Sequence, residues 1–251
     1  MSLPILVVNP NTTASMTDGL KPLLEPFIAS SALPPPTFFT SPSGVPSINN
    51  SHDCHSSGTL TLPHLLPLLD SHSAILIACY SVHPLVAQLK SIAPSKPVIG
   101  IFEASVLASL ALLAGEPGET QFGIVTTGAV WEEILSGGVR DFLGCASGSG
   151  SGRFAGVATT GLDATELHDA PAEEVERRLK EATKGLIRKS RAGGGTLRAV
   201  CLGCAGMAGM DETVRKACVE ELGEEEGRKV AIVDGVKAGY ALLEGQVRMS
   251  M

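Results

Sequence analysis

The sequence predicts an α/β protein made of two similar Rossmann-like lobes with parallel sheets, related by a pseudo-two-fold axis, with the active site in the cleft between them. Three observations carry this expectation. Short apolar runs alternate with amphipathic or Ala/Gly-rich stretches along the 251 residues, the pattern of strands joined by right-handed crossover helices. The order of these stretches repeats once. Two cysteines, Cys79 and Cys204, stand 125 residues apart in matching contexts, each just past a short apolar run.

The first half opens on an apolar strand at 4–8, followed by the loop Asn9-Pro10-Asn11-Thr12-Thr13 and a helix from about Ala14. Pro34-Pro35-Pro36 is a stiff connection into a short strand near 37–40. A helix is expected near 59–70, then a strand at 74–78 whose unbroken apolar character suits a parallel strand buried on both faces. Helix 85–92, strand 98–101 and the Ala/Leu-rich helix 104–114 complete the half. The second half runs strand 123–126, turn Thr127-Gly128, helix 131–135, strand 154–158 and the charged amphipathic helix 172–191. Strand 197–202, helix 211–222, strand 229–233 and helix 236–247 follow. The stretch 144–153, containing Gly148-Ser149-Gly150-Ser151-Gly152, reads as a flexible surface loop without a role.

The spacings support the duplication. Asn9 lies 70 residues before Cys79, and Thr127 lies 77 before Cys204. After each cysteine come a helix, a further strand, an acidic residue (Glu103 or Asp234) and an Ala/Gly-rich helix.

Composition narrows the function classes. A net charge of −7 with a pI near 5.4 offers no basic face for nucleic acid or an anionic membrane. Aromatic residues make up 4%, too few for a base-stacking platform. The apolar start at 3–8 is too short for a secretory signal, and no run approaches a membrane span. Six cysteines without a secretory signal are read as reduced thiols, so a cytoplasmic location is expected.

Ligands of open α/β sheets bind beyond the carboxyl ends of the strands, which is where Cys79 and Cys204 fall. A pair of thiols, one taking a proton while the other gives one, is what inversion at an acidic C–H carbon requires. A single strand-end cysteine would more simply be core; the matched pair argues otherwise. Cys201 makes a Cys-x-x-Cys with Cys204 but falls inside an apolar strand, and Cys145 and Cys218 read as structural. Cys54, with His52 and His55, has no second ligand pair at zinc spacing and reads as polar loop. The Gly123-to-Gly128 stretch lacks the Lys-Ser/Thr of a phosphate loop. His83 and Glu103 are each open to two readings, as helix caps or as groups touching a ligand.

The segments Asn9-Pro10-Asn11-Thr12-Thr13, Ala78-Cys79-Tyr80-Ser81, Pro97-Val98-Ile99-Gly100-Ile101-Phe102-Glu103-Ala104 and Leu202-Gly203-Cys204-Ala205-Gly206-Met207 resemble the hydantoin racemase branch of the aspartate/glutamate racemase superfamily, in particular its fungal-type members. The resemblance covers essentially the whole chain in order. It implies a cofactor-independent, two-cysteine racemase of hydantoins such as allantoin. It also implies lobes of residues 1–100 with 235–251 and of residues 101–234, the final helix packing on the first. One departure stands out: bacterial members place Asp-Pro soon after the first cysteine, whereas this chain has Cys79-Tyr80-Ser81-Val82-His83-Pro84.

On that resemblance Cys79 and Cys204 are the catalytic pair, with Asn11, Tyr80, Ser81, His83, Thr126, Thr127, Ala205 and Gly206 as the substrate-binding set. Helix N-termini after each cysteine, from Leu85 and from Asp211, are expected to favour the thiolate and an enolate-like oxygen. No metal or cofactor is expected; the partners are a small molecule and further copies of the chain in a homo-oligomer, not nucleic acid or membrane. A cis–trans isomerase or decarboxylase of a small diacid on the same scaffold, or a non-catalytic small-molecule binder, remain alternatives.

Overall fold

Strands that run as Ile-Leu-Val-Val and Ala-Ile-Leu-Ile cannot face water on either side, and the computed structural model buries both completely. It describes residues 3–31, 33–145 and 152–249; of the loop expected at 144–153, residues 146–151 lie outside the described residues. The chain divides into two compact units, residues 1–104 with 235–251, and residues 105–234.

In the first unit the chain runs β1 (Ile5–Asn9), α1 (Ala14–Ser30), β2 (Thr37–Thr40), α2 (Ser51–Leu65), β3 (Ala74–Ile77), α3 (Pro84–Ile92), β4 (Val98–Gly100) and into α4 (Ile101–Leu112). The four strands are parallel, in the order β2-β1-β3-β4. Leu6, Val8, Ile75 and Ile77 meet Leu65, Leu85 and Leu89 in one core beneath α2 and α3. At about 25 cal/mol per Å² of buried apolar surface, such a cluster is the main source of the unit's stability.

The helix expected at 59–70 begins eight residues earlier, at Ser51, and ends in a 3-10 turn, Leu66–Ser71. Its start is fixed by Asn50, whose side-chain oxygen accepts the Asp53 N–H at 2.9 Å, while Asp53 Oδ2 accepts the Asn49 N–H at 3.0 Å. This reciprocal cap places Cys54 in the first turn of α2, a correction to its reading as loop. Gly58 lets α2 approach α3, since a Cβ there would stand 2.7 Å from Pro84 Cγ.

The second unit repeats the plan: β5 (Thr120–Thr126), α5 (Val130–Phe142), β6 (Phe154–Thr159), α6 (Glu166–Asp169), α7 (Ala172–Ala192), β7 (Thr196–Leu202), α8 (Asp211–Leu222), α9 (Glu224–Lys229) and β8 (Ala231–Asp234). The order β6-β5-β7-β8, again all parallel, is that of the first sheet, strand for strand. Val125, Val200 and Leu202 form its core with Leu179, Leu186 and Val214. The strand expected from 229 begins at Ala231, because Lys229 still closes α9 through bonds to Glu225 and Glu226.

After β8 the chain re-enters the first unit as α10 (Gly235–Met249), which packs on α1, β3 and β4. The division between units falls inside α4, after Ala104, four residues beyond position 100. From Ser105 on α4 serves the second unit: the Ser105 carbonyl and the Ser109 hydroxyl lie 3.7 and 3.1 Å from Cys201 Sγ. Cys201 is fully buried there. Among the described residues no helix is long and apolar enough to cross a membrane.

Candidate functional site

Each sheet reverses its strand order at its first and third strands, β1 beside β3 and β5 beside β7. Chain leaving two such neighbours departs in opposite directions and opens a crevice above their carboxyl ends. Asn11 and Cys79 follow β1 and β3; Thr126 ends β5 and Cys204 follows β7.

In the first unit Asn9 organises the loop after β1. Its side-chain amide donates to Asn11 Oδ1 at 2.9 Å, the Thr13 carbonyl at 3.1 Å and Thr17 Oγ1 at 3.0 Å. Asn11 Oδ1 also accepts the Thr13 N–H at 2.9 Å, and Asn11 Nδ2 lies 3.2 Å from Met16 Sδ. Both asparagines are buried, and each bond to a buried amide contributes about 1 kcal/mol. The loop is therefore held by its own side chains.

Cys79 is half-buried two residues past β3. Its sulfur lies 3.4 Å from Ser81 Oγ, and Cys54 Sγ, from α2, donates to the same hydroxyl at 3.4 Å. The two thiols are also hydrogen-bonded to each other. Cys54 is held down at about 7, mainly by the bond from Cys79 and then by Ser81, against a burial that alone would raise it. Cys54 thus joins the site, which the sequence reading did not anticipate; the Asn50-x-x-Asp53 cap was the signal that could have found it.

His83 stands at the N-cap of α3 and is buried. Its Nδ1 accepts the Leu85 N–H at 3.3 Å, which puts the ring proton on Nε2, 3.3 Å from Ser57 Oγ. Ser57 in turn donates to the Pro10 carbonyl at 2.7 Å. The imidazole ties three segments together: the loop after β1, the first turns of α2 and the start of α3. Burial, with a smaller contribution from the charge of His55, lowers its pKa to about 4, so it is neutral at physiological pH. The Leu85 and Val86 N–H groups are consumed by the His83 side chain and carbonyl; they are not aimed at Cys79. Tyr80 turns inward, its ring edge-on to Phe102 with centroids 5.7 Å apart.

In the second unit Gly203 brings β7 against β5. A Cβ there would stand 2.7 Å from both Thr126 Cβ and the Val125 carbonyl. The Thr126 hydroxyl donates to the Gly203 carbonyl at 2.6 Å and the Gly203 N–H to the Val125 carbonyl at 2.7 Å. This pinning fixes Cys204, which caps the 3-10 turn Ala205–Met207: the Gly206 N–H donates to Cys204 Sγ at 3.3 Å. Burial pushes the Cys204 thiol up, opposed by the Gly206 and Met207 N–H groups. Those donors belong to the 3-10 turn and not to α8, where the sequence reading looked for them. Thr127 is buried, its carbonyl accepting the Gly161 N–H at 3.1 Å.

Of the residues singled out from sequence, the first unit thus joins Cys79, Ser81 and His83 in one rim with the Asn11 loop, and directs the Tyr80 ring into the core. The second joins Thr126, Cys204, Ala205 and Gly206, with Thr127 beside them. No Lys or Arg occurs in segments 9–13, 79–83, 126–129 or 203–207. Arg178 reaches the Thr160 carbonyl but is tied to Glu174 at 2.7 Å. Among the described residues no group of three or more His, Cys, Asp or Glu is placed to hold a metal ion.

The model of the family described as Asp/Glu/hydantoin racemase matches residues 5–243. An uncharacterized protein of Schizosaccharomyces pombe is 33% identical over 254 residues, covering 98% of this chain and 93% of that one. A hydantoin racemase of a Pseudomonas species is 28% identical over 250 residues, covering 96% of this chain and 85% of that one. The crystal structure of an allantoin racemase from Pseudomonas fluorescens superposes with a TM-score of 0.78 at 24% identity, over 99% of this chain and 92% of the other. That last likeness shows a shared α/β fold.

Proposed function

This chain belongs to the Asp/Glu/hydantoin racemase family, and on that premise we propose that it inverts the α-carbon of a 5-substituted hydantoin or of allantoin, using Cys79 and Cys204 as its two acid–base groups. Membership of a racemase family makes it an isomerase. The observation that carries the finer reading is topological: the two cysteines follow equivalent strands of two sheets with the same order, at the switch point of each.

The chemistry follows from the two environments. The ring carbon between a carbonyl and an N–H is weakly acidic, so the base must be a thiolate and the developing enolate oxygen needs donors. The Ser81 hydroxyl, 3.4 Å from Cys79 Sγ, can donate to a thiolate there. Burial keeps Cys204 protonated, fit to deliver a proton to the opposite face. For the reverse direction the roles exchange, with the Gly206 N–H stabilising the Cys204 thiolate. Rims without Lys or Arg suit a neutral heterocycle better than a dicarboxylate, and the reaction as written uses only these protein groups.

The test is to incubate single enantiomers of several hydantoins and of allantoin in deuterated water, following optical rotation together with α-deuteration. Loss of rotation should accompany incorporation. Cys79→Ser and Cys204→Ser should each abolish racemisation, because a serine hydroxyl is too weak an acid and its alkoxide too costly to form. Each variant should still exchange the α-proton of one enantiomer, and the two should prefer opposite ones. Racemisation surviving in both variants would end the two-thiol mechanism; no exchange by the wild type across the panel would end the hydantoin assignment.

A further inference from the structure

We propose that Cys54 is a positioning residue for Cys79, the two sulfurs and the Ser81 hydroxyl sharing protons so that the pair holds a single thiol proton between them. The inference rests on reading Cys79 as the base of the first unit, and it adds a residue from a different element to that base.

Cys54 comes from the first turn of α2 and Cys79 from the end of β3, yet both sulfurs lie 3.4 Å from the one hydroxyl. Cys54 is 5% exposed, while Cys79 keeps part of its surface open. Cys79 is therefore the residue of the two that a substrate can reach, while Cys54 is buried. When either sulfur ionises, it gains the S–H of the other and the O–H of Ser81 as donors. Two interacting thiols then lose their protons in two separated steps that belong to the pair.

The charged groups around the cluster are few. On α2 itself Asp53 opposes ionisation and His55 favours it, both more weakly than the bonds from Cys79 and Ser81. From the start of α3 comes His83, neutral because burial lowers it to about 4. Farther along, Glu103 on α4 is pushed up by burial and faces Lys90 of α3. None is a cation close enough to replace the thiol and hydroxyl donors. The low value of Cys54, about 7, agrees with a first proton leaving the pair near neutrality.

The experiment reads the titration directly. Alkylation of Cys79 by iodoacetamide, followed by peptide mass spectrometry across pH without substrate, should rise with a midpoint below the ordinary thiol value near 8.5 in the wild type. Cys54→Ala, which removes every bond from that side chain, should move the midpoint up by at least about one pH unit, towards that ordinary value, while Cys54→Ser, which keeps a hydroxyl donor beside Cys79, should restore most of the wild-type midpoint. At neutral pH the thiolate fraction of Cys79 in Cys54→Ala then falls on the order of tenfold. Cys204 should alkylate as before, and circular dichroism should confirm that both variants are folded. In racemisation by Cys54→Ala, the acid limb of kcat should move upward with KM little changed. An unmoved Cys79 midpoint in the folded Cys54→Ala variant would overturn the proposal. If either variant fails to fold, the wild-type thiolate absorbance decides: one thiolate per chain forming near neutrality supports the shared proton, and none below the ordinary thiol range overturns it. Because alkylation needs no substrate, its outcome stands apart from whether hydantoins are the substrates.

Discussion

Replacing His83 by Asn separates a structural imidazole from a catalytic one, because the structure fixes how its effect must vary with pH. Asparagine is a good N-cap, so it can still accept the Leu85 N–H. It loses the bond to Ser57 and leaves unfilled space where the ring stood, which should cost about 1–3 kcal/mol near pH 7. The wild-type histidine has a folded-state pKa of about 4 against 6.5 unfolded. Between those values the unfolded chain binds more protons than the folded one, so stability is full above about 6.5 and is lost as pH falls towards 4. The slope is at most about 1.4 kcal/mol per pH unit, giving a loss of about 2–3 kcal/mol near pH 4.5. Asparagine carries no such dependence. Urea unfolding at several pH values from 7.5 to 4.5 should show the wild type losing that amount relative to His83→Asn, so that the gap closes or reverses, and turnover of the variant at neutral pH should persist. Stability curves that run parallel in pH would refute the assignment of a neutral, buried ring. A variant that folds but turns over no substrate would move His83 into the reacting set.

Gly203→Ala should destabilise the second unit by about 1–3 kcal/mol in urea unfolding, because the new methyl meets the Thr126 Cβ and the Val125 carbonyl at 2.7 Å; an unchanged midpoint would contradict the close approach. Asn50→Ala should cost about 1 kcal/mol and raise the alkylation midpoint of Cys79, since the cap holds the turn that carries Cys54; unaltered titration would detach α2 from the site. In the wild type, Cys204 should require a higher pH for alkylation than Cys79, as burial raises it, and the opposite order would invert the proposed resting roles of acid and base.

The alternation of apolar runs and helices was enough to read both sheets, since a strand such as Ala74–Ile77, buried on every side, must be apolar throughout and shows itself in composition. The equivalence of Cys79 and Cys204 was legible for the same reason: both follow such strands. Cys54 was not. Residues 51–58 are Ser-His-Asp-Cys-His-Ser-Ser-Gly, poor in helix formers and without an apolar stripe, so periodicity gives no signal. What makes them helical is a cap at Asn50 and burial of Cys54, Ser57 and Gly58 against neighbouring elements, tertiary terms that override weak propensity. His83 was ambiguous because a cap and a ligand-facing group require the same residue at the same position. Only the bonds on its two ring nitrogens separate them. Helix N-terminal N–H groups were expected to face the thiols, yet His83 takes those of α3 and the 3-10 turn after Cys204 supplies its own, a local detail that strand–helix alternation cannot carry.

The duplicated topology makes the two thiols equivalent in position and leaves them unequal in chemistry. Burial raises Cys204, and hydrogen-bond donors that follow the charge oppose such a shift. Around Cys79 these are the O–H of Ser81 and the S–H of Cys54, groups that can rotate and can pass a proton on. Around Cys204 they are backbone N–H groups, which stabilise a thiolate and never surrender their hydrogens. In the proposed reaction, a proton taken by Cys79 can therefore move into the protein behind it, whereas one taken by Cys204 stays on that sulfur until substrate or water removes it. The asymmetry lies entirely in what packs against each strand end, so two half-chains of one plan can hold one sulfur ready to accept a proton and the other ready to give one.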